Sequence, residues 1–220
     1  MYSIMIQVLC KTYNPFQENT YILYDETQEC IIIDPGCLNV TEESDLKKHI
    51  SDLELRPVGL YNTHCHLDHV FGNAFVAKNW GLELAVHEGE VSVLDAVPQI
   101  CKMYGMPYPK PSPNPVHFLQ PGQSINFGKS SLEILFTPGH SPASVSFFSK
   151  DSGILIAGDV LFNGSIGRTD LPGGSLDMLM DSIRREYIHL GDEVVVYPGH
   201  GPATTIGHER KTNPFLLEYL

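Results

Sequence analysis

The 220-residue chain lacks the marks of several large protein classes. No C-x-x-C pair occurs among its five cysteines, which are scattered at positions 10, 30, 37, 65 and 101. An odd, dispersed set is no disulfide framework. No run approaches the roughly 18 apolar residues of a membrane span. The opening stretch MYSIMIQVLCKTYNPF has no basic region ahead of a long apolar segment, so no signal peptide is expected. Positive charge is scarce, 14 Lys and Arg against 26 Asp and Glu, and a net charge of -12 argues against a nucleic-acid backbone or an anionic membrane as the main partner. These absences point to the reducing cytoplasm. No stretch reads as a flexible interdomain linker, and one domain over residues 1–220 is expected. A chain of this size buries about 70% of its unfolded surface and needs no staples to fold.

What is present alternates short apolar runs with helical patterns. MIQVL, NTYILYD and ECIIID read as strands ending at the turn signal DPG, residues 34–36. TEESDLKKHISDL follows as a helix, with Thr41 expected at its N-cap and Leu46, Ile50 and Leu53 at helical spacing. VGLYN, LELAVH, INFG, SLEILFT, SVSFFSK, GILIAGD and EVVVY read as further strands. VFGNAFVAKNW, EVSVLDAVPQICKMYG and SLDMLMDSIRREYIHL read as helices. The proline-rich segment 107–122 fits neither a central strand nor a long helix. It reads as a surface crossover, or, with Tyr104, Met106 and Tyr108, as the wall of a substrate groove.

The densest chemistry lies in THCHLDHV, residues 63–70, where His64, His66, Asp68 and His69 crowd into six positions. In an extended segment alternate side chains share a face, so His64 and His66 point together while Cys65 points away as a small buried hydrophobe. Asp68 and His69 fall where the chain turns into the next helix. His140, Asp159 and His200 each follow an apolar strand-like run, with Gly139, Gly158 and Gly199 immediately before them. Strand ends followed by short loops are a rigid way to gather ligands from distant sequence at one edge of a sheet. His64, His66 and His140 can hold one ion, Asp68, His69 and His200 a second, with Asp159 between them. Imidazole and carboxylate donors suit zinc, iron or manganese, zinc being the first expectation, and no thiolate is needed.

THCHLDH, TPGHSP, AGDVLF and YPGHGPAT resemble the successive metal motifs of the metallo-β-lactamase superfamily. IDPG resembles its first motif, where Asp34 would be structural rather than a ligand. The resemblance covers nearly the whole chain. It implies an α+β fold, an αββα sandwich of two mixed sheets face to face with helices outside and two divalent ions at one edge.

Within that superfamily the chain is most similar to the glyoxalase II-like branch, hydrolases of hydroxyacylglutathione-type thioesters. Exported β-lactamases with a cysteine ligand, nucleases with large insertions or basic arms, and flavodiiron proteins match less well. The branch implies attack on the thioester carbonyl by a hydroxide held between the ions, oriented by Asp68. In NGSIGRTDLPGGS, Arg168 occupies the place of a cation that anchors the carrier carboxylate, a task suited to a guanidinium fork. Two departures stand out: the expected extra C-terminal helical domain does not follow, and Asp170 stands where that branch has a tyrosine. GRTD and the Cys of THCH also resemble persulfide dioxygenases, which hold one iron on two histidines and an aspartate. A metal-binding scaffold without catalysis is a third reading.

Overall fold

A computed structural model describes residues 5–106 and 110–219. Tyr108, expected beside the substrate groove, lies outside the described residues. Strands β1 (Gln7–Tyr13), β2 (Glu18–Tyr24) and β3 (Glu29–Ile33) form an antiparallel meander with Cys10 opposite Tyr21 and Ile22 opposite Ile32. Helix α1 (Val40–Asp52) carries the chain to β4 (Arg56–Tyr61), which lies parallel to β3. The short α2 (Leu67–Val70) and α3 (Asn73–Trp80) precede β5 (Leu84–Val86), and α4 (Val91–Met103) precedes the two-residue β6 (His117–Phe118). Together β1 to β6 make one mixed sheet in sequential order.

The second half repeats the plan. β7 (Ser124–Phe127), β8 (Ser130–Phe136), β9 (Val145–Ser149) and β10 (Ile154–Gly158) form another meander. A two-stranded ribbon, β11 (Leu161–Phe162) with β12 (Ser165–Ile166), and α5 (Leu176–Ser182) come next. Then β13 (Val195–Pro198) pairs parallel to β10, β14 (Thr204–Thr205) borders β13, and α6 (Ile206–Thr212) and α7 (Pro214–Tyr219) close the chain. This second sheet, ordered β14-β13-β10-β9-β8-β7, is also mixed.

Two-residue alternation explains the layering. Both faces of the inner strands are apolar, and each face finds its own partner. Ile22, Ile32, Leu60 and Leu84 pack against Leu46 and Ile50 of α1, Val76 of α3 and Val97 of α4. Their neighbours Tyr21, Leu23, Ile31 and Ile33 meet Leu132, Ile134, Phe147, Ile154 and Ile156 of the second sheet. On that sheet's far face Leu155, Ala157 and Val196 pack against Leu179, Met180 and Ile206. Helix, sheet, sheet, helix is the expected αββα sandwich. Each fully buried isoleucine or leucine contributes about 1.5–3 kcal/mol by leaving water.

One boundary differs from expectation. The N-cap of α1 is Asn39, whose side chain accepts from the backbone N–H groups of Thr41 and Glu42, so Thr41 is already inside the helix. Asparagine is the stronger cap, and with it in place the helix begins two residues earlier. No helix among the described residues is long and apolar enough to cross a membrane.

The topology also sets where chemistry can gather. β3 and β4 run parallel, as do β10 and β13, and β8 runs with β10 because β9 opposes both. Asp34, the His64 cluster, His140, Asp159 and His200 all follow the C-terminal ends of these five strands. Backbone bonds tie the two sheets together there: Val145 donates to the Thr63 carbonyl at 2.8 Å and Asn19 to the Gly199 carbonyl at 2.7 Å.

Candidate metal centre

His64, His66 and His140 bring one potential ligand atom each to within 4.8 Å of one another, and so do Asp68, His69 and His200. These are the two sets expected from sequence. Asp159 lies between them, with Oδ1 3.5 Å from His69 Nε2 and Oδ2 3.4 Å from His140 Nε2 and 3.5 Å from His200 Nε2. Gly158, with φ +54°, makes the turn that aims Asp159 inward. Gly199 is needed for space instead: a Cβ there would strike Asp159 Oδ1 and His69 Cε1. His64, His69, His140, Asp68 and Asp159 are buried, and His66 and His200 half-buried.

Hydrogen bonds behind the rings fix which nitrogen each histidine offers. His69 Nδ1 donates to Asp34 Oδ2 at 3.1 Å. The Thr63 hydroxyl gives its one proton to Asp34 Oδ2 at 2.6 Å, so it accepts from His64 Nδ1 at 3.0 Å. His140 Nδ1 donates to the Arg168 carbonyl at 2.7 Å and His200 Nδ1 to the Phe16 carbonyl at 3.1 Å. Four histidines therefore present Nε2. His66 differs, with its Nδ1 2.8 Å from His140 Nε2.

The unpartnered atoms test whether cations fit. His64 Nε2, His69 Nε2 and Asp159 Oδ1 are buried and have no hydrogen-bond partner. Buried polar atoms are ordinarily satisfied, and three orphans converging on one volume are what a bound cation would relieve. The donor set, imidazole with carboxylate and no thiolate, suits borderline divalent ions.

Electrostatics divide the centre in two. Burial, reinforced by His69, His66 and His140, pushes His64 well below the usual imidazole range. Burial and then His140 lower His66 to about 4. Burial also acts to lower His69, but the carboxylates of Asp68, Asp159 and Asp34 outweigh it and hold this ring well above the normal range. His200 is raised against its own burial by the Asp68 hydrogen bond and by Asp159. Asp68, despite burial, is held far below the ordinary carboxylate range by His69 and His200, whose Nε2 lies 3.2 Å from its Oδ2. A field that keeps protons on two imidazoles is a field that attracts a dication.

Arg168 is exposed, and its guanidinium is engaged: Nε and an Nη donate to Asp170 Oδ1 and Oδ2 at 2.7 and 2.9 Å. Only its backbone carbonyl touches the centre. Several supporting residues carry no sequence signal. Asn14, at φ +53°, donates through Nδ2 to the carbonyls of Gly36 and Asp68, both at 3.0 Å. Glu18 is wholly buried with Oε1 unpartnered, and burial pushes its carboxyl well above the usual range. Glu90 is wholly buried as well. An acid inside an ordinary alternating strand or before a helix looks the same in sequence whether it faces solvent or a loop.

A four-layer sandwich with histidines and carboxylates gathered at one edge defines a metal-dependent hydrolase architecture. The chain belongs to the metallo-beta-lactamase superfamily, whose model matches residues 13–200. It is 35% identical over 202 residues to hydroxyacylglutathione hydrolase GloC of Haemophilus influenzae, across 91% of this chain and 93% of that protein. It is also similar to the crystal structure of BLEG-1 B3 metallo-beta-lactamase, with TM-score 0.86 and 34% identity over 96% of this chain and 99% of that one. Against TTHA1623 in a di-iron-bound form the TM-score is 0.85 and the identity 35%, over 95% and 100% of the two chains.

Proposed function

We propose that this chain is a glyoxalase II-like thioesterase that hydrolyses hydroxyacylglutathione-type thioesters at a two-ion centre. His64, His66 and His140 would hold one ion and Asp68, His69 and His200 the other, with Asp159 placed to serve both. The observation that carries this reading is the Asp159 carboxylate, whose Oδ1 lies 3.5 Å from His69 Nε2 and whose Oδ2 lies 3.4 Å from His140 Nε2 and 3.5 Å from His200 Nε2, so that it faces both histidine sets. The likeness to GloC supports the substrate class. Zinc is the first expectation for both ions, with iron or manganese as alternatives; the di-iron form of a similar chain keeps iron in view.

When bound, a pair of divalent ions polarises a carbonyl and brings the ionisation of water toward neutral pH. Asp68 stays ionised and would orient the attacking water through a hydrogen bond, aiming its lone pair at the thioester carbon. The rear hydrogen bonds to Asp34, Thr63, Arg168 and Phe16 stop the imidazoles from turning during turnover. Arg168 anchors the carrier carboxylate after exchanging it for Asp170. Five free cysteines fit a reducing cytoplasm.

The test is an assay of thiol release from a hydroxyacylglutathione, run beside a β-lactam and beside a glutathione persulfide with oxygen uptake recorded. Release of thiol with no oxygen consumed supports the thioesterase. Oxygen uptake dependent on persulfide, with one iron per chain, replaces it with a dioxygenase, and turnover of the β-lactam alone replaces it with a lactamase. No turnover of any substrate leaves a metal-binding scaffold.

A further inference from the structure

Glu90 is a wholly buried carboxylate that none of the ligand sets uses. It ends the 3₁₀ turn Glu88–Glu90 that follows β5. Its Oε2 accepts from the Cys65 backbone N–H at 2.9 Å. Its Oε1 accepts from the Ala143 backbone N–H at 2.8 Å, and the Ser141 hydroxyl lies 2.7 and 2.8 Å from the two oxygens. Cys65 sits between His64 and His66, and Ser141 follows His140. One side chain thus spans two loops from different sheets, at the points where they carry His64 and His66 on one side and His140 on the other, while Asp68 and His69 lie further along in α2 and His200 on a third loop. The approach is close: a Cβ on Gly89 would lie 2.6 Å from that of Ala143.

We infer that Glu90 is a positioning residue that sets the spacing of His64 and His66 against His140, and so the affinity of the first ion. The inference rests on the two-ion reading but not on the thioester substrate. A carboxylate is required because both oxygens must accept. In a glutamine one of the two positions becomes an NH₂, which meets the N–H of Cys65 or of Ala143 whichever way the amide is turned. The loops then part at one side, and His66 and His140 no longer converge.

The experiment titrates metal-free protein with zinc, following ions bound per chain by native mass spectrometry and the histidine ring nitrogens by NMR. Wild type, Glu90→Gln and the milder Ser141→Ala are compared, with thermal unfolding as a control. Loss of an outer hydrogen-bond partner typically costs ten- to hundredfold in metal affinity. Glu90→Gln is expected to weaken the first ion by that factor, read at His66 and His140, while the ion seen at His69 and His200 persists. Ser141→Ala is expected to act in the same direction and less. A folded Glu90→Gln protein that binds both ions as wild type does overturns the inference. So does an equal loss at both sets in the two variants. If wild type itself binds one ion or none, the two-ion reading fails instead, independently of Glu90.

Discussion

His66 Nδ1 stands 2.8 Å from His140 Nε2. Since His140 commits its Nδ1 proton to the Arg168 carbonyl, its Nε2 accepts, and a proton shared between the two rings belongs to His66 Nδ1. An ion at that position needs the His66 Nδ1 lone pair, so the proton must move to Nε2. Zinc binding is therefore expected to switch the His66 tautomer, visible in ring-nitrogen NMR shifts, while His64, His69, His140 and His200 keep Nδ1–H. Unchanged His66 shifts on zinc addition would remove it from the ligand set.

The two sets should differ in their dependence on pH. His69 and His200 have raised values, so below those values each carries an extra proton that an incoming ion must displace. Apparent affinity of the second set therefore rises with pH, by up to tenfold per unit for each proton released, and levels off above the raised values. His64 and His66 are lowered, His66 to about 4, so these two are already neutral at pH 7 and should release few protons there. Calorimetric titrations in buffers of different ionisation enthalpy will count the protons. Equal release from both sets would contradict this division.

Arg168 gives a test of carrier recognition. On a glutathione thioester, Arg168→Ala is expected to raise KM about tenfold with kcat little changed, because the contact acts equally in ground and transition states. Asp170→Asn should lower KM by freeing the guanidinium fork. Neither change should affect a simple thioester lacking the carboxylate. Equal defects of Arg168→Ala on both substrates would rule out carboxylate anchoring and leave the Arg168 side chain a structural one.

Cys65 is wholly buried in the core against the outer helices of the first sheet, its thiol pushed well up by burial. Cys65→Ala should cost on the order of 1–2 kcal/mol in denaturant unfolding and leave two ions bound. Asp34→Ala removes the acceptor of His69 Nδ1 and of the Thr63 N–H and hydroxyl. Buried donors left unmet cost about 1–3 kcal/mol, and the second ion should weaken ten- to hundredfold. Metal analysis alongside unfolding separates the two variants.

The strands and both candidate ligand sets could be picked out from local pattern, whereas the αββα sandwich followed from the resemblance of the metal motifs to a known superfamily. The continuous apolar runs in ECIII and GILIAG fit strands buried on both faces, and ligands at strand ends with a preceding glycine gave the edge. The supporting shell was not legible. Glu90 and Asn14 act across 53 and 54 residues of sequence, on Ala143 and Asp68, and only the folded chain brings those backbone groups to them. Arg168 stood out in the sequence as a cation just after the metal loop, whereas its engagement by Asp170 depends on the turn of the loop.

The count of ions per chain tests the account most directly. Protein purified without chelators and dialysed against zinc should carry two ions by native mass spectrometry. Asp159→Ala should lose affinity for both and lose kcat with them, since that carboxylate faces both sets. A wild-type chain that saturates at one ion, or an Asp159→Ala chain that binds two as tightly as wild type, would contradict it.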